Sequence, residues 1–258
     1  MDKGIGFNRN IYLSWLDATA ALCSETDDPA QVRARLEPVV GQDIHNADNR
    51  RKAIDILINI WVKTGSIAPD LRNAAVRYFE TGQEMSDRLW LHYGLALLYY
   101  SFFREGAAAI GQLSRSEDAI TPAMVKRRLV AERGELGSLE KAVERIIFSL
   151  RDWGVLEETS QRYAYAPQRK AFSTTNAELE AWLLACALEA HPAEELVFSD
   201  LLRLPELFPF RFTLTVDSLR QHPRFAVHRQ GSAWDVVGVA TPQVVEEREG
   251  EILWLSRL

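Results

Sequence analysis

Cysteine is scarce in the 258 residues. Cys23 and Cys186 are the two present, each inside an apolar helical pattern with no metal-ligating neighbour. They are expected as buried free thiols, which fits a reducing cytoplasm rather than a disulfide framework. The five histidines, His45, His92, His191, His222 and His228, are scattered, and none stands four residues from another or beside a cysteine, so metal-ligand spacing is missing. Gly4-Ile5-Gly6 lacks the third glycine and the preceding strand of a dinucleotide loop, and neither a phosphate-binding lysine loop nor a serine nucleophile elbow occurs. His191-Pro192-Ala193-Glu194-Glu195 gathers a base and two carboxylates, a composition that a solvated helix end also produces. The chain is therefore read as non-enzymatic, with no metal and no cofactor.

Long apolar runs are also missing. The longest, Leu89 to Phe103, is interrupted by His92 and followed by Arg104, whereas crossing a bilayer takes about 20 predominantly apolar residues. It is expected as a buried central helix. Met1 to Asn10 has no apolar signal core, so no membrane association is expected. An excess of basic charge is absent too: the net charge is −6, divided as −1 over 1–115, +1 over 116–172 and −6 over 173–258. Any nucleic-acid surface must be a local patch on the first two-thirds, with salt-sensitive binding.

The most readable stretch runs from Thr121 to Pro167. Thr121 caps a helix through Arg133, with Pro122 at the first helical position, where a missing N–H costs nothing. Gly137-Ser138 breaks it. From Ser138 to Trp153, Leu139, Ala142, Val143, Ile146, Ile147, Leu150 and Trp153 recur at helical spacing, and Gly154 supplies a stop. Val155-Leu156-Glu157 and Arg162-Tyr163-Ala164-Tyr165 then read as strands around the turn Glu158-Thr159-Ser160-Gln161. Helix, turn, helix, hairpin is the order of a winged helix, whose second helix would enter a major groove. On that helix Lys141, Arg145 and Ser149 fall at i, i+4 and i+8, on a ridge expected to reach phosphates or base edges. Arg162, Arg169 and Lys170 on or beyond the wing, and Lys126, Arg127 and Arg128 on the preceding helix, extend the candidate DNA surface. Glu140, Glu144 and Asp152 on the same helix oppose it, and the competing reading is a solvated face used for protein contacts.

Upstream, residues 1–117 read as a bundle of helices: Asn10–Cys23, a short helix from Asp28-Pro29 that Pro38 stops, one from Asn49 to Gly65, one from Ala68-Pro69 to Phe79, one capped by Ser86-Asp87 and running to Phe103, and a segment Ala107–Leu113. Arg50, Arg51 and Lys52 occupy the first turn of the third of these, where cations are disfavoured by the helix dipole. A docked polyanion would account for them; so would pairing with Asp48, Asp55 or another helix. Downstream of the module at 118–172, residues 173–258 repeat its layout. Thr175-Asn176-Ala177-Glu178 opens a helix through Leu188, Val197–Phe208 is expected as a helix disturbed at Pro205, Thr215 caps Val216–Gln221, and Phe225–Val237 makes a hairpin. The acidic balance of this second winged-helix-like module favours a protein-facing role. Its tail, Glu246–Leu258, is expected to pack back as a strand or to dock on a partner. The fold class is thus mainly α, a helical bundle followed by winged-helix-like modules with short β-hairpins.

The bundle, the helix opening Asn49-Arg50-Arg51-Lys52, the segment Arg88-Leu89-Trp90-Leu91 leading to Tyr99-Tyr100-Ser101-Phe102-Phe103-Arg104, Ile120-Thr121, and the run Lys141 to Gly154-Val155-Leu156 together resemble the small helical A-component (BrxA-like) of bacterial BREX phage-defence systems. The resemblance covers residues 1–157. It implies binding to double-stranded DNA without a known catalytic site, and association with other proteins of a defence complex or with a second copy of the chain. A protein-interaction adaptor and a winged-helix transcription regulator are the alternative functions.

Overall fold

Helix starts follow the capping chemistry written in the chain. Asp28, Asn46, Thr121, Asn176 and Thr215 each accept a main-chain N–H from the first turn of the helix that follows. The computed structural model describes residues 6–81, 85–134, 137–231 and 234–240, and the tail expected as a strand or docking segment lies outside them. Among the described residues the helices are α1 Leu13–Cys23, α2 Pro29–Gly41, α3 Ala47–Trp61, α4 Pro69–Glu80, α5 Met85–Tyr99, α6 Ser101–Leu113, α7 Pro122–Arg133, α8 Leu139–Asp152, α9 Ala177–Ala190, α10 Phe198–Leu201 and α11 Val216–Gln221. The strands are β1 Leu156–Glu158, β2 Tyr165–Pro167, β3 Glu195–Val197, β4 Phe225–Gln230 and β5 Trp234–Val239. The fold is mainly α with two small antiparallel sheets.

Four sequence expectations are corrected. Pro38 does not end α2, which continues to Gly41: burial of Val40 outweighs the one helical hydrogen bond that proline removes. Helix α3 starts at Ala47, behind an Asn46 cap, and so places Asp48 within its first turn. The central helix divides at Tyr100, whose backbone is extended while its ring packs on Phe7 and its hydroxyl accepts from Asn59 at 2.8 Å. Ala107–Leu113 consequently belongs to α6. Val197–Phe208 forms the end of β3, the short α10 and a 3-10 turn at Pro205–Leu207.

One apolar core runs through all three segments. Two glycines set its closest approaches. A Cβ on Gly94 of α5 would stand 2.5 Å from the Trp182 ring of α9, and one on Gly111 of α6 would stand 1.9 Å from the Pro205 carbonyl oxygen. The buried Glu180 carboxylate takes the main-chain N–H groups of Thr213 (2.7 Å) and Leu214 (3.1 Å), fixing the segment that leads to α11. Inside the bundle the Trp61 indole N–H donates to His92 Nδ1 at 3.1 Å. Indole nitrogen only donates, so His92 carries its proton on Nε2, which lies 3.0 Å from Asp17 Oδ1. Burial pushes the pKa of His92 below 6.5, Asp17 pulling the other way.

Candidate nucleic-acid interface

Helix α6 is the element that completes the first module. Ile120 bridges Tyr165 through a pair of main-chain hydrogen bonds of 2.7 and 2.9 Å, so a one-residue strand precedes α7 and lies beside β2. The order is then helix α6, strand, α7, α8, β1, wing, β2, with α6 packed on both α7 and α8. Gly106 of α6 leaves the space that Ile146 of α8 fills. Arg133 of α7 pairs with Glu105 of α6 at 3.0 Å, and Lys126 of α7 with Glu140 of α8 at 2.9 Å. Lys126 beside it holds the Glu140 carboxyl below the usual carboxylate range. The second module repeats the order as α9, β3, α10, α11, β4, β5, with sheet order β3-β5-β4.

The ridge expected on α8 is open at one end only. Lys141 is exposed and makes no hydrogen bond or ion pair among the described residues. Arg145 is half-buried and donates to Asn10 Oδ1 at 2.9 Å. Ser149 is fully buried and cannot meet a ligand. The N-terminal segment crosses this half of the helix: Ile11 N–H donates to Ser149 Oγ (3.0 Å), Trp153 Nε1 donates to the Ile11 carbonyl (2.9 Å) and Leu13 N–H donates to Asp152 Oδ2 (2.6 Å). The geometry of the helix explains the miss. At 3.6 residues per turn an i, i+4, i+8 series drifts by about 80° over its length, which carries Ser149 round to the covered side.

Arg50, Arg51 and Lys52 are used within the bundle. Arg50 pairs with Glu37 at 2.6 Å and donates to the Ile44 carbonyl at 3.2 Å. Arg51 pairs with Asp48 (2.9 Å) and Asp55 (3.2 Å), and Lys52 pairs with Asp48. Hydrogen bonds from Lys52 and Arg51 lower the pKa of the Asp48 carboxyl. These pairings account for three cations in the first turns of α3.

What remains open surrounds a groove of about 830 Å³ between the start of α7, the start of α8 and the wing, lined among others by Pro122, Lys126, Arg127, Val130, Glu144 and Tyr163. Arg127 is exposed with no pairing among the described residues, whereas Arg128 pairs with Glu132 at 3.4 Å along α7. Arg169 and Lys170 are exposed just past β2. Arg162 lies over the Tyr163 ring, 4.7 Å from its centroid, and donates to its hydroxyl at 2.9 Å.

The strand expected at Arg162–Tyr165 starts only at Tyr165; Thr159 to Ala164 form the wing tip. Thr159 N–H donates to the Ala164 carbonyl at 3.0 Å and Gln161 N–H to Thr159 Oγ1 at 3.2 Å. This turn holds Tyr163 at φ 59 with its ring 63% exposed, while Tyr165 points inward. Aromatic alternation suggested a strand and hid the left-handed residue. Among the described residues no group of three or more His, Cys, Asp or Glu side chains is placed to hold a metal ion, and no helix is long and apolar enough to cross a membrane. Comparison with family models, curated proteins and solved structures returns no match to this chain.

Proposed function

We propose that the protein binds double-stranded DNA through the module built from α6, α7, α8 and the β1–β2 wing, without catalysing a reaction on it. The observation that carries this reading is the state of α8. Its second half is covered by Asn10–Leu13, and its first half is open, flanked by the unpaired Lys141 and Arg127 and by Arg162 of the wing. The N-terminal residues of a recognition helix are the ones that meet base edges, while cations beside them hold phosphates. Glu140 is already engaged by Lys126, which leaves Glu144 as the carboxylate that opposes a phosphate at this groove. The resemblance over residues 1–157 extends the proposal to a component of a larger bacterial phage-defence assembly.

An equilibrium titration of labelled random-sequence duplex tests it. Lys141→Glu and Arg127→Glu are each expected to weaken binding about tenfold or more, since each replaces an attraction to phosphate by a repulsion. Wild-type affinity that neither substitution changes overturns the proposal. A second reading, a protein-binding adaptor, is favoured by one observation: Pro122, Ala123 and Val130 give the same groove an apolar floor beside Glu140 and Glu144. It predicts no duplex binding and a partner that Val130→Asp releases.

A further inference from the structure

We propose that Tyr163 is a stacking platform for an unpaired base, so that the preferred ligand is a duplex ending in a single strand rather than an uninterrupted duplex. The inference rests on the DNA reading above and names the form of DNA.

Tyr163 is costly to the fold on two counts. A bulky residue with positive φ is a conformational outlier, and a 63% exposed ring contributes little to a core. Nothing in the packing requires it, yet its geometry is fixed several times over. The Thr159–Ala164 hydrogen bonds set the turn, and Arg162 holds the ring from both its face and its hydroxyl. Strain that the surroundings over-determine at an exposed position points to use.

The chemistry of the pair is that of nucleobase recognition. An aromatic face takes any base, and a guanidinium stacked behind it adds cation–π attraction and a charge for the neighbouring phosphate. The tip also lines the groove that holds Arg127 and Lys126, so DNA engaged there lies beside the ring. An uninterrupted duplex would have to be unstacked before the ring could enter it, whereas a base at a junction is already free.

The second module also carries an exposed aromatic residue on its hairpin. Trp234 begins β5, paired with Gln230 across the hairpin, and its ring is 56% exposed. Among the described residues the exposed large hydrophobic side chains are Ile67, Tyr163 and Trp234, so two of the three stand on wings.

The test compares blunt duplex with the same duplex carrying a single-stranded overhang and 2-aminopurine at the junction. Wild-type protein is expected to bind the junction about tenfold more tightly than the blunt duplex, with quenching of the probe. Tyr163→Gly, which accepts positive φ, should unfold at the same temperature or higher and bind the blunt and the overhang duplex with equal affinity and without quenching. Tyr163→Phe should keep both. Equal wild-type affinity for the two DNAs overturns the inference alone, as does a preference that survives Tyr163→Gly. Failure to bind any DNA overturns the duplex reading and this inference together.

Discussion

Replacing Ser149 by alanine separates a structural role from a ligand contact. Ser149 Oγ accepts the main-chain N–H of Ile11 at 3.0 Å and donates to the Arg145 carbonyl at 2.9 Å, and both Ser149 and Ile11 are fully buried. Ser149→Ala leaves the Ile11 N–H with no partner and no water, which costs about 1–3 kcal/mol. The Trp153 to Ile11 and Leu13 to Asp152 hydrogen bonds remain, so the segment stays in place and the loss does not spread. For a chain of this length, about 2 cal/mol/K of unfolding entropy per residue turns that cost into a fall in Tm of roughly 2–6 °C. Thermal unfolding followed by circular dichroism reads the shift, and duplex affinity measured well below Tm should be unchanged. An unshifted Tm, or a loss of DNA affinity in a protein of wild-type stability, would refute the placement of Ser149 beneath the N-terminal segment.

Gly111→Ala should destabilise by the upper end of the about 1–3 kcal/mol typical of overpacking, because the added Cβ meets the Pro205 backbone rather than a side chain that rotates. Gly137→Ala, where a Cβ meets nothing within 4 Å, should stay within about 0.5 kcal/mol, and urea unfolding compares the two. Burial lowers the pKa of His92 below 6.5, so on acidification the unfolded chain takes up a proton before the folded one does. His92 then favours folding fully above pH 6.5, and this is lost as pH falls, by at most about 1.4 kcal/mol per pH unit. His92→Gln should flatten the difference in unfolding free energy between pH 6.5 and 5; a slope equal to wild type would count against a neutral, buried His92.

Much of the architecture is written locally. Thr121-Pro122 and Thr215 cap α7 and α11 as expected, and the Leu139 to Leu150 periodicity gives the buried face of α8. These are signals within one turn or one helix. What could not be read is long-range. Ser149 looks solvent-facing until Ile11, distant in sequence, is laid across it. Arg50 looks free until α2 brings Glu37 alongside, and α6 looks like part of a longer bundle helix until Tyr100 is drawn out of line by Phe7 and Asn59. Tyr163 was hidden because its aromatic neighbour Tyr165 imitates strand alternation while the Thr159 turn sets a left-handed backbone. The open cations of the candidate surface, Arg127, Lys141, Arg162, Arg169 and Lys170, were all visible in the sequence, as were Asp48 and Asp55 as partners within α3, but the pairs between helices, Arg50 with Glu37 and Lys126 with Glu140, were not.

The salt dependence of binding to random-sequence duplex is the most direct measurement of the central claim. If those five cations meet phosphates, log affinity should fall against log salt with a slope of about −4.5, at roughly 0.9 per phosphate neutralised. Arg127→Gln together with Lys141→Gln should lower the slope by about 2. A slope near zero, or one that the double substitution leaves unchanged, would contradict the assignment of the open half of α8 as a DNA-binding surface.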